Sequence, residues 1–423
     1  MKYSKQILPN GLTVLKVPSG DAESVVVDFF VKTGSRSESP RENGISHFLE
    51  HFLFKGTKKY PSAQALSERV DAIGGEMNAN TGKEHTQFYI KAARQHLPMI
   101  FEILTDMIQA PLLDAEELER EKGVIVEEIN MYKDTPTAEI YNILEGTMWP
   151  GDPLGRDIAG TKKTVTQFTK AMFEDYIARH YQLPNMILGV GGKYDEKQLD
   201  RLIAKYWLGR PRSKFEGWHK ACDQQDRPRV KVQYKKTEQA HLALGFKSFP
   251  HEHPKNYALA VLSAILGGGM SSRLFIEVRE RRGLAYYVRA GSDHYQDTGN
   301  FFISAGVKVD KIEEALSVIG EQLKKAKSQK VPAKELAKAK EYIKGRTILV
   351  LEDNQSRLDW YLAETAFQKK TLSPKESFKL IDKVTAADVR DVARRILDRS
   401  KMTLAVIGPY RGKDGKLLGL LKL

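Results

Sequence analysis

The run His47-Phe48-Leu49-Glu50-His51 joins the side chains best suited to holding a divalent metal and working beside it. In a helix of about 100° per residue, His47 and His51 differ by roughly 40° and project one turn apart from the same face. Glu50 falls about 60° to the other side of His47, so the three polar heads share an arc of roughly 100°. Two neutral imidazole nitrogens on one ion, with a carboxylate beside it rather than on it, suit zinc-assisted hydrolysis in which the carboxylate takes a proton from water. With 10 histidines and 54 acidic residues in 423, chance supplies His-x-x-acid-His roughly 0.03 times. That sets aside two unrelated histidines sharing a face.

A catalytic zinc ordinarily takes three protein ligands, so one more must come from elsewhere. The helix expected over Ala115–Tyr132 offers Glu116, Glu117, Glu119, Glu121, Glu127 and Glu128. Glu116, Glu117 and Glu119 read as a solvated face. Glu121 and Glu128 are seven apart and about 20° from each other, with Val124, Ile125 and Ile129 interspersed, whereas Glu127 points roughly 100° away from Glu128. This face approaches a core, but spacing alone does not choose the ligand.

Positioning these residues takes a layered fold. Apolar runs at Leu12–Val17 and Ser24–Lys32 read as strands, the first opened by Asn10-Gly11. A helical period follows Gly44 through Phe54, a second helix runs from Ser62 to Gly74-Gly75, and Met77–Thr81 with Thr86–Lys91 reads as a hairpin around Gly82. Helices are expected at Leu97–Gln109, Ala115–Tyr132, Thr137–Met148, Val165–Arg179 and Glu196–Tyr206, with a strand at Asn185–Val190. Pro211, Gly217, Pro228 and interspersed charges give 211–229 the composition of a linker, dividing a domain 1–210 from a domain 230–423.

The second half repeats the order of the first. It has a strand at Ala240–Lys247, a helix at Asn256–Leu266, strands near Tyr286–Ala290 and Phe301–Val307, and a closing strand at Met402–Ile407. Phe88–Ala92 aligns with Phe301–Ala305 at an offset of 213, and Asn185–Leu188 with Lys401–Leu404 at 216. Nearly constant offsets argue for duplication. Grouped strands and helices, rather than strict alternation, point to an α+β fold of two homologous domains, each a mostly antiparallel sheet with helices packed on it.

Bulk properties narrow the function. The net charge of +13 invites a nucleic-acid reading, but pairs such as Lys235-Lys236, Lys324-Lys325 and Lys369-Lys370 are scattered, without interleaved aromatics. A solvated surface explains them, and no nucleic-acid partner is expected. The single cysteine, Cys222, excludes an intrachain disulfide framework. The amino-terminal residues lack a signal-peptide pattern and no apolar stretch approaches about 18 residues, so a cytoplasmic location and no membrane partner are expected.

His-x-x-Glu-His inverts the commoner His-Glu-x-x-His and marks the inverzincins. The whole chain resembles the pitrilysin family, which includes insulysin and the mitochondrial processing peptidase, and in particular its short two-domain members. In that family a distal glutamate completes the metal site and follows another functional glutamate by seven positions. Glu128, 77 residues beyond His51, matches it and would be the third zinc ligand, with Glu121 in a supporting or catalytic role. The resemblance further implies a peptide-binding edge strand at Asn78, Ala79 and Asn80, within Met77–Thr81. His85 nearby is read as structural.

Gly267–Arg273 lacks the Gly-Lys-Ser/Thr ending of a phosphate loop and resembles the family's glycine-rich segment, linked to substrate handling. Arg279 and Tyr286 match the family's Arg/Tyr pair and would donate hydrogen bonds to substrate backbone or oxyanion. With no His-x-x-Glu-His in the second half, one zinc per chain is expected. By the same resemblance, a homodimer encloses a chamber that admits peptides or unfolded segments, the Arg279 and Tyr286 of one protomer approaching the zinc of the other. A scaffold subunit without activity, or a subunit active only with a heterologous partner, are the alternatives.

Overall fold

Val25, Val26, Val27, Phe29, Phe30 and Val31 form an almost unbroken apolar run, as expected of a strand covered on both faces. The computed structural model, which describes residues 3–211, 217, 219–222 and 224–423, buries all six of them inside a sheet. Strands β1 (Ser4–Ile7), β2 (Thr13–Pro18), β3 (Ser24–Val31), β4 (Glu76–Thr81), β5 (Thr86–Ala93) and β6 (Met186–Gly192) lie in the order β1-β2-β6-β3-β5-β4. A second sheet is built from β7 (Arg229–Tyr234), β8 (Gln239–Ser248), β9 (Ala285–His294), β10 (Gly299–Lys308) and β11 (Met402–Gly408), in the order β7-β11-β8-β10-β9.

Substituting β2, β6, β3, β5 and β4 for these five reproduces the first order, and the one parallel pair of each sheet, β2 with β6 and β7 with β11, sits at the same place. The duplication is therefore real at the level of topology, and both sheets are mostly antiparallel, as expected.

The helices are α1 (Ile45–Leu53), α2 (Ala63–Asp71), α3 (Leu97–Gln109), α4 (Ala115–Asp134), α5 (Pro136–Met148), α6 (Lys162–Val165), α7 (Lys170–His180) and α8 (Glu196–Ile203). The second half adds α9 (Asn256–Gly267), α10 (Ile312–Ser328), α11 (Ala333–Val350), α12 (Asn354–Phe367), α13 (Pro374–Lys383), α14 (Ala386–Ile396) and α15 (Asp414–Gly419).

Two compact units emerge, and neither is a contiguous half. One comprises Met1–Asn130, Arg156–His219 and Val350–Ser373; the other comprises Met131–Gly155, Lys220–Leu349 and Pro374–Leu423. In the first unit, one sheet face is covered by helices including α1, α3, α4 and α7, and the other by α12, whose Leu358, Tyr361 and Leu362 bury Leu15, Val17, Val26, Phe30 and Ile187. In the second, α9, α10 and α14 cover one face, and α5 covers the other through Ile140, Leu144 and Met148 against Ala243, Ala405 and Ile407. α5, which precedes the segment 211–229, thus belongs to the second unit, and α12, which follows it, belongs to the first. Of that segment, 212–216, 218 and 223 lie outside the described residues.

Three local readings differ. No strand is expected at β1 or β7: β1 is four residues long and fully exposed, and β7, at the edge of its sheet, is at most half-buried. The single helix expected over Val165–Arg179 is two: α6 closes at Val165 and Thr169 restarts the chain from an extended conformation. The break lets Phe168 sink into the core beside Phe48 and Phe173. Finally, the helix expected to reach Tyr206 widens into a π-helical turn over Ala204–Leu208, which buries Trp207. Among the described residues, no helix is long and apolar enough to cross a membrane.

Candidate metal centre

Helix α1 starts without a capping side chain at its own N-cap position, Gly44, which adopts φ 99°. A Cβ there would come within 2.7 Å of the Ala159 carbonyl oxygen, so glycine is required for shape as well as for torsion. The orphan amides are satisfied from a distance. Glu38, buried, accepts from the Gly44 amide at 2.8 Å and the Ser46 amide at 2.9 Å. Burial outweighs these bonds and pushes the Glu38 carboxyl up to about 7. Ile45, Phe48, Leu49, Phe52 and Leu53 anchor the helix in the core, which leaves His47, Glu50 and His51 on its half-buried polar arc.

Helix α4 runs past this arc. Its buried stripe is Leu118, Glu121, Ile125 and Ile129, and Glu128 borders that stripe half-buried while Glu127 is exposed. Glu128 Oε1 lies 3.6 Å from His47 Nε2 and its Oε2 lies 3.5 Å from His51 Nε2. One ligand atom from each of the three residues falls within 4.8 Å of the others. Tetrahedral zinc with bonds of about 2.0–2.2 Å would separate its ligand atoms by roughly 3.4 Å, so the trio fits that ion. The carboxylates of Glu128 and Glu50, with a smaller contribution from Asp157, raise the His47 pKa although burial opposes it. The centre is thus poised to accept positive charge.

The two histidines are supported differently. His51 Nδ1 lies 2.9 Å from Glu121 Oε1, and Glu121 Oε2 lies 2.5 Å from Lys55 Nζ. Burial would raise the Glu121 pKa, but its bonds to His51 and Lys55 and their charges hold it below the usual value. An ionised Glu121 orients the His51 ring so that Nε2 faces Glu128, the carboxylate–imidazole relay typical of zinc sites. His47 Nδ1, by contrast, is buried with no hydrogen-bond partner among the described residues.

Strand β4 is the outermost strand of its sheet. Glu76, Asn78 and Asn80 are its exposed residues, while Met77, Ala79 and Thr81 are half-buried on the other face. Thr81 Oγ1 donates to Glu50 Oε2 at 2.5 Å. The Asn78 side chain accepts from the Ala79 backbone amide at 2.8 Å, and Asn80 Nδ2 donates to Gln87 Oε1 at 3.2 Å. The structure therefore gathers His47, Glu50, His51, Glu121 and Glu128 and sets the edge carrying Asn78, Ala79 and Asn80 beside them through Thr81. Lys55 and Glu38 are absent from the sequence-derived site, and Thr81 enters it only as the end of the segment Met77–Thr81, without its bond to Glu50. Strand alternation from Met77 places Thr81 on the face of Ala79, the one signal that could have found it. His85 stacks on Phe30 at a ring separation of 4.9 Å, a packing role.

Arg279 and Tyr286 belong to the other unit. They lie together: the Arg279 guanidinium is 4.7 Å from the centre of the Phe275 ring and 5.7 Å from that of Tyr286, which is 75% exposed. The glycines before them are there for close packing. A Cβ on Gly267 would meet the Ala290 amide nitrogen at 2.3 Å, and Gly268 and Gly269 lie against the Tyr342 ring. Helix α9, the repeat counterpart of α1, carries no histidine or acid, and most of its length is buried.

The family model described as insulinase, peptidase family M16, matches residues 14–162, and that described as the peptidase M16 inactive domain matches 167–343. An uncharacterized zinc protease of Streptomyces coelicolor is 33% identical, over 97% of this chain and 90% of its own. The chain belongs to the M16 peptidase family. The uncharacterized zinc protease YmxG of Bacillus subtilis is 34% identical over 95% of this chain and 97% of its own. Among solved structures, a protease from Helicobacter pylori superimposes with a TM-score of 0.89 at 25% identity, covering 96% of this chain and 99% of that one. An M16 inactive domain from Pseudomonas fluorescens shares the fold at a TM-score of 0.86 and 19% identity, covering 97% and 98%. The insulinase model covers His47, His51 and Glu128, and the inactive-domain model covers α9, which carries no histidine or acid.

Proposed function

We propose that this M16 chain is a zinc-dependent endopeptidase that hydrolyses peptides or unfolded segments. The observation that carries this is the convergence of His47, His51 and Glu128 to zinc-like spacing, with Glu50 next to them on α1 and bonded to none of them. Zinc held by these three residues would supply the Lewis acidity that polarises a scissile carbonyl and makes water easier to deprotonate. Glu50 takes that proton and returns it to the leaving amine nitrogen. Its Oε2 is occupied by the Thr81 hydroxyl, which leaves Oε1 for the transfer. The open edge of β4, with Asn78, Ala79 and Asn80, offers backbone groups to an extended peptide, so affinity needs little sequence preference. Arg279 and Tyr286 serve as donors to substrate or oxyanion, presented across a homodimeric chamber.

The test uses purified protein and a fluorogenic peptide, with and without a chelator. We expect about one zinc per chain, activity lost on chelation and regained with zinc, and a homodimer by mass measurement. Glu50→Gln should keep its zinc and lose cleavage; normal turnover by that variant would overturn the assignment of the base. Zinc binding with no hydrolysis, alone or with an added related subunit, would favour a scaffold role.

A further inference from the structure

We propose that Thr81 is the positioning residue that fixes the Glu50 carboxylate and ties its orientation to the edge strand. The proposal rests on the reading of Glu50 as the base.

Glu50 is half-buried on a long, flexible side chain, and a proton-transferring group must be held within about 0.5 Å of its productive place. Among the described residues, the Thr81 hydroxyl is the one hydrogen-bond partner of its carboxylate, at 2.5 Å. Threonine suits this task because branching at Cβ stiffens χ1. Its backbone is also fixed, as the last residue of β4, paired with Thr86 across the hairpin.

The hairpin tip is held far more firmly than a surface turn requires. The Gly82 amide donates to the His85 carbonyl at 2.8 Å, the Ser35 amide to the Gly82 carbonyl at 3.2 Å, and the Arg36 amide to the Lys83 carbonyl at 2.8 Å. Gly34 presses so close that a Cβ would lie 2.2 Å from the Gly82 oxygen. Beneath, Arg36 and Glu84 form a buried ion pair at 2.5 Å, their side chains 1% and 4% exposed. A buried ion pair is an inefficient source of stability because desolvation cancels most of the attraction, yet it defines geometry strongly. Here the geometry defined is that of the turn that follows Thr81. A peptide added to the outer edge of β4 would act on the same strand that holds the base, so strand binding and base alignment are mechanically linked.

Thr81→Val removes the hydroxyl and keeps the shape; Thr81→Ser keeps the hydroxyl. For T81V we expect kcat to fall about ten- to a hundredfold, with KM within about twofold. Zinc affinity and thermal midpoint should match the parent, and T81S should recover most of the rate. Crystal structures of the metal-free parent and T81V supply a readout independent of activity: one Glu50 side-chain conformation in the parent, more than one or a displaced one in the variant. Unchanged kcat with an unmoved Glu50 would overturn the proposal, as would T81S being as slow as T81V. If the parent cleaves no peptide, the peptidase reading fails, and the Glu50 conformations alone decide whether Thr81 positions it.

Discussion

Glu121 sits between His51 and Lys55, and its value lies in what it does to the imidazole. A carboxylate on the non-ligating nitrogen fixes the ring tautomer and raises the basicity of the other nitrogen. Glu121→Ala should therefore weaken zinc binding about 10- to 100-fold, measured by competition with a chromogenic chelator, and leave the fold intact. An affinity equal to the parent's would reduce Glu121 to a partner for Lys55. At this scale the sequence is informative where residues share a helix. His47, Glu50 and His51 are fixed relative to one another by 3.6-residue geometry, and Glu121 and Glu128 by seven-residue spacing. Thr81 and Lys55 act across element boundaries, where the outcome depends on packing and strand register, and a single sequence does not encode these locally.

At the scale of elements, the first unit buries two titratable groups with opposite pH signatures, Glu38 before α1 and His180 at the end of α7. Glu38 caps the start of α1 and is pushed up to about 7 by burial. The folded state then holds a proton that the unfolded chain gives up near 4.5, so this group's contribution to stability declines as pH rises from about 4.5 to 7. His180, at the end of α7, is lowered to about 4 by burial and the neighbouring Arg179. Here the unfolded chain binds the proton first, so stability is lost as pH falls from about 6.5 toward 4. The two slopes oppose each other, and a melting curve of the parent alone would hide both. Differences between proteins separate them. The midpoint of the parent minus that of His180→Phe should rise with pH across this window, and the corresponding difference for Glu38→Gln should fall. Differences flat with pH would refute the assignments. Elements were legible in proportion to their burial: β3 was plain from its apolar run, whereas β1, fully exposed, and β7, at most half-buried, have no such run, and the break before α7 follows from the burial of Phe168 rather than from any strong stop signal.

At the scale of the whole molecule, the duplication was visible in the sequence but the exchange of α5 and α12 was not. Periodicity says which face of a helix is apolar; it does not say which sheet that face will cover. The consequence is physical. Without α12, the strands of the first sheet would expose Leu15, Val17, Val26, Phe30 and Ile187, which α12 otherwise buries. Without α5, the second sheet would expose Ala243, Ala405 and Ile407. Contiguous apolar patches of that kind drive association, so neither sequence half should behave as an independent domain, although each contains a complete sheet. Residues 1–211 expressed alone should aggregate or bind a hydrophobic dye, and residues 217–423 should do the same. Co-expressed, the halves should restore a soluble complex, because each half still carries the helix that covers the other half's sheet. Size-exclusion chromatography with chelator-sensitive peptide cleavage checks the outcome. A stable, monodisperse amino-terminal half on its own would show that α12 is dispensable, and with it the idea that the repeat folds only as an interlocked pair.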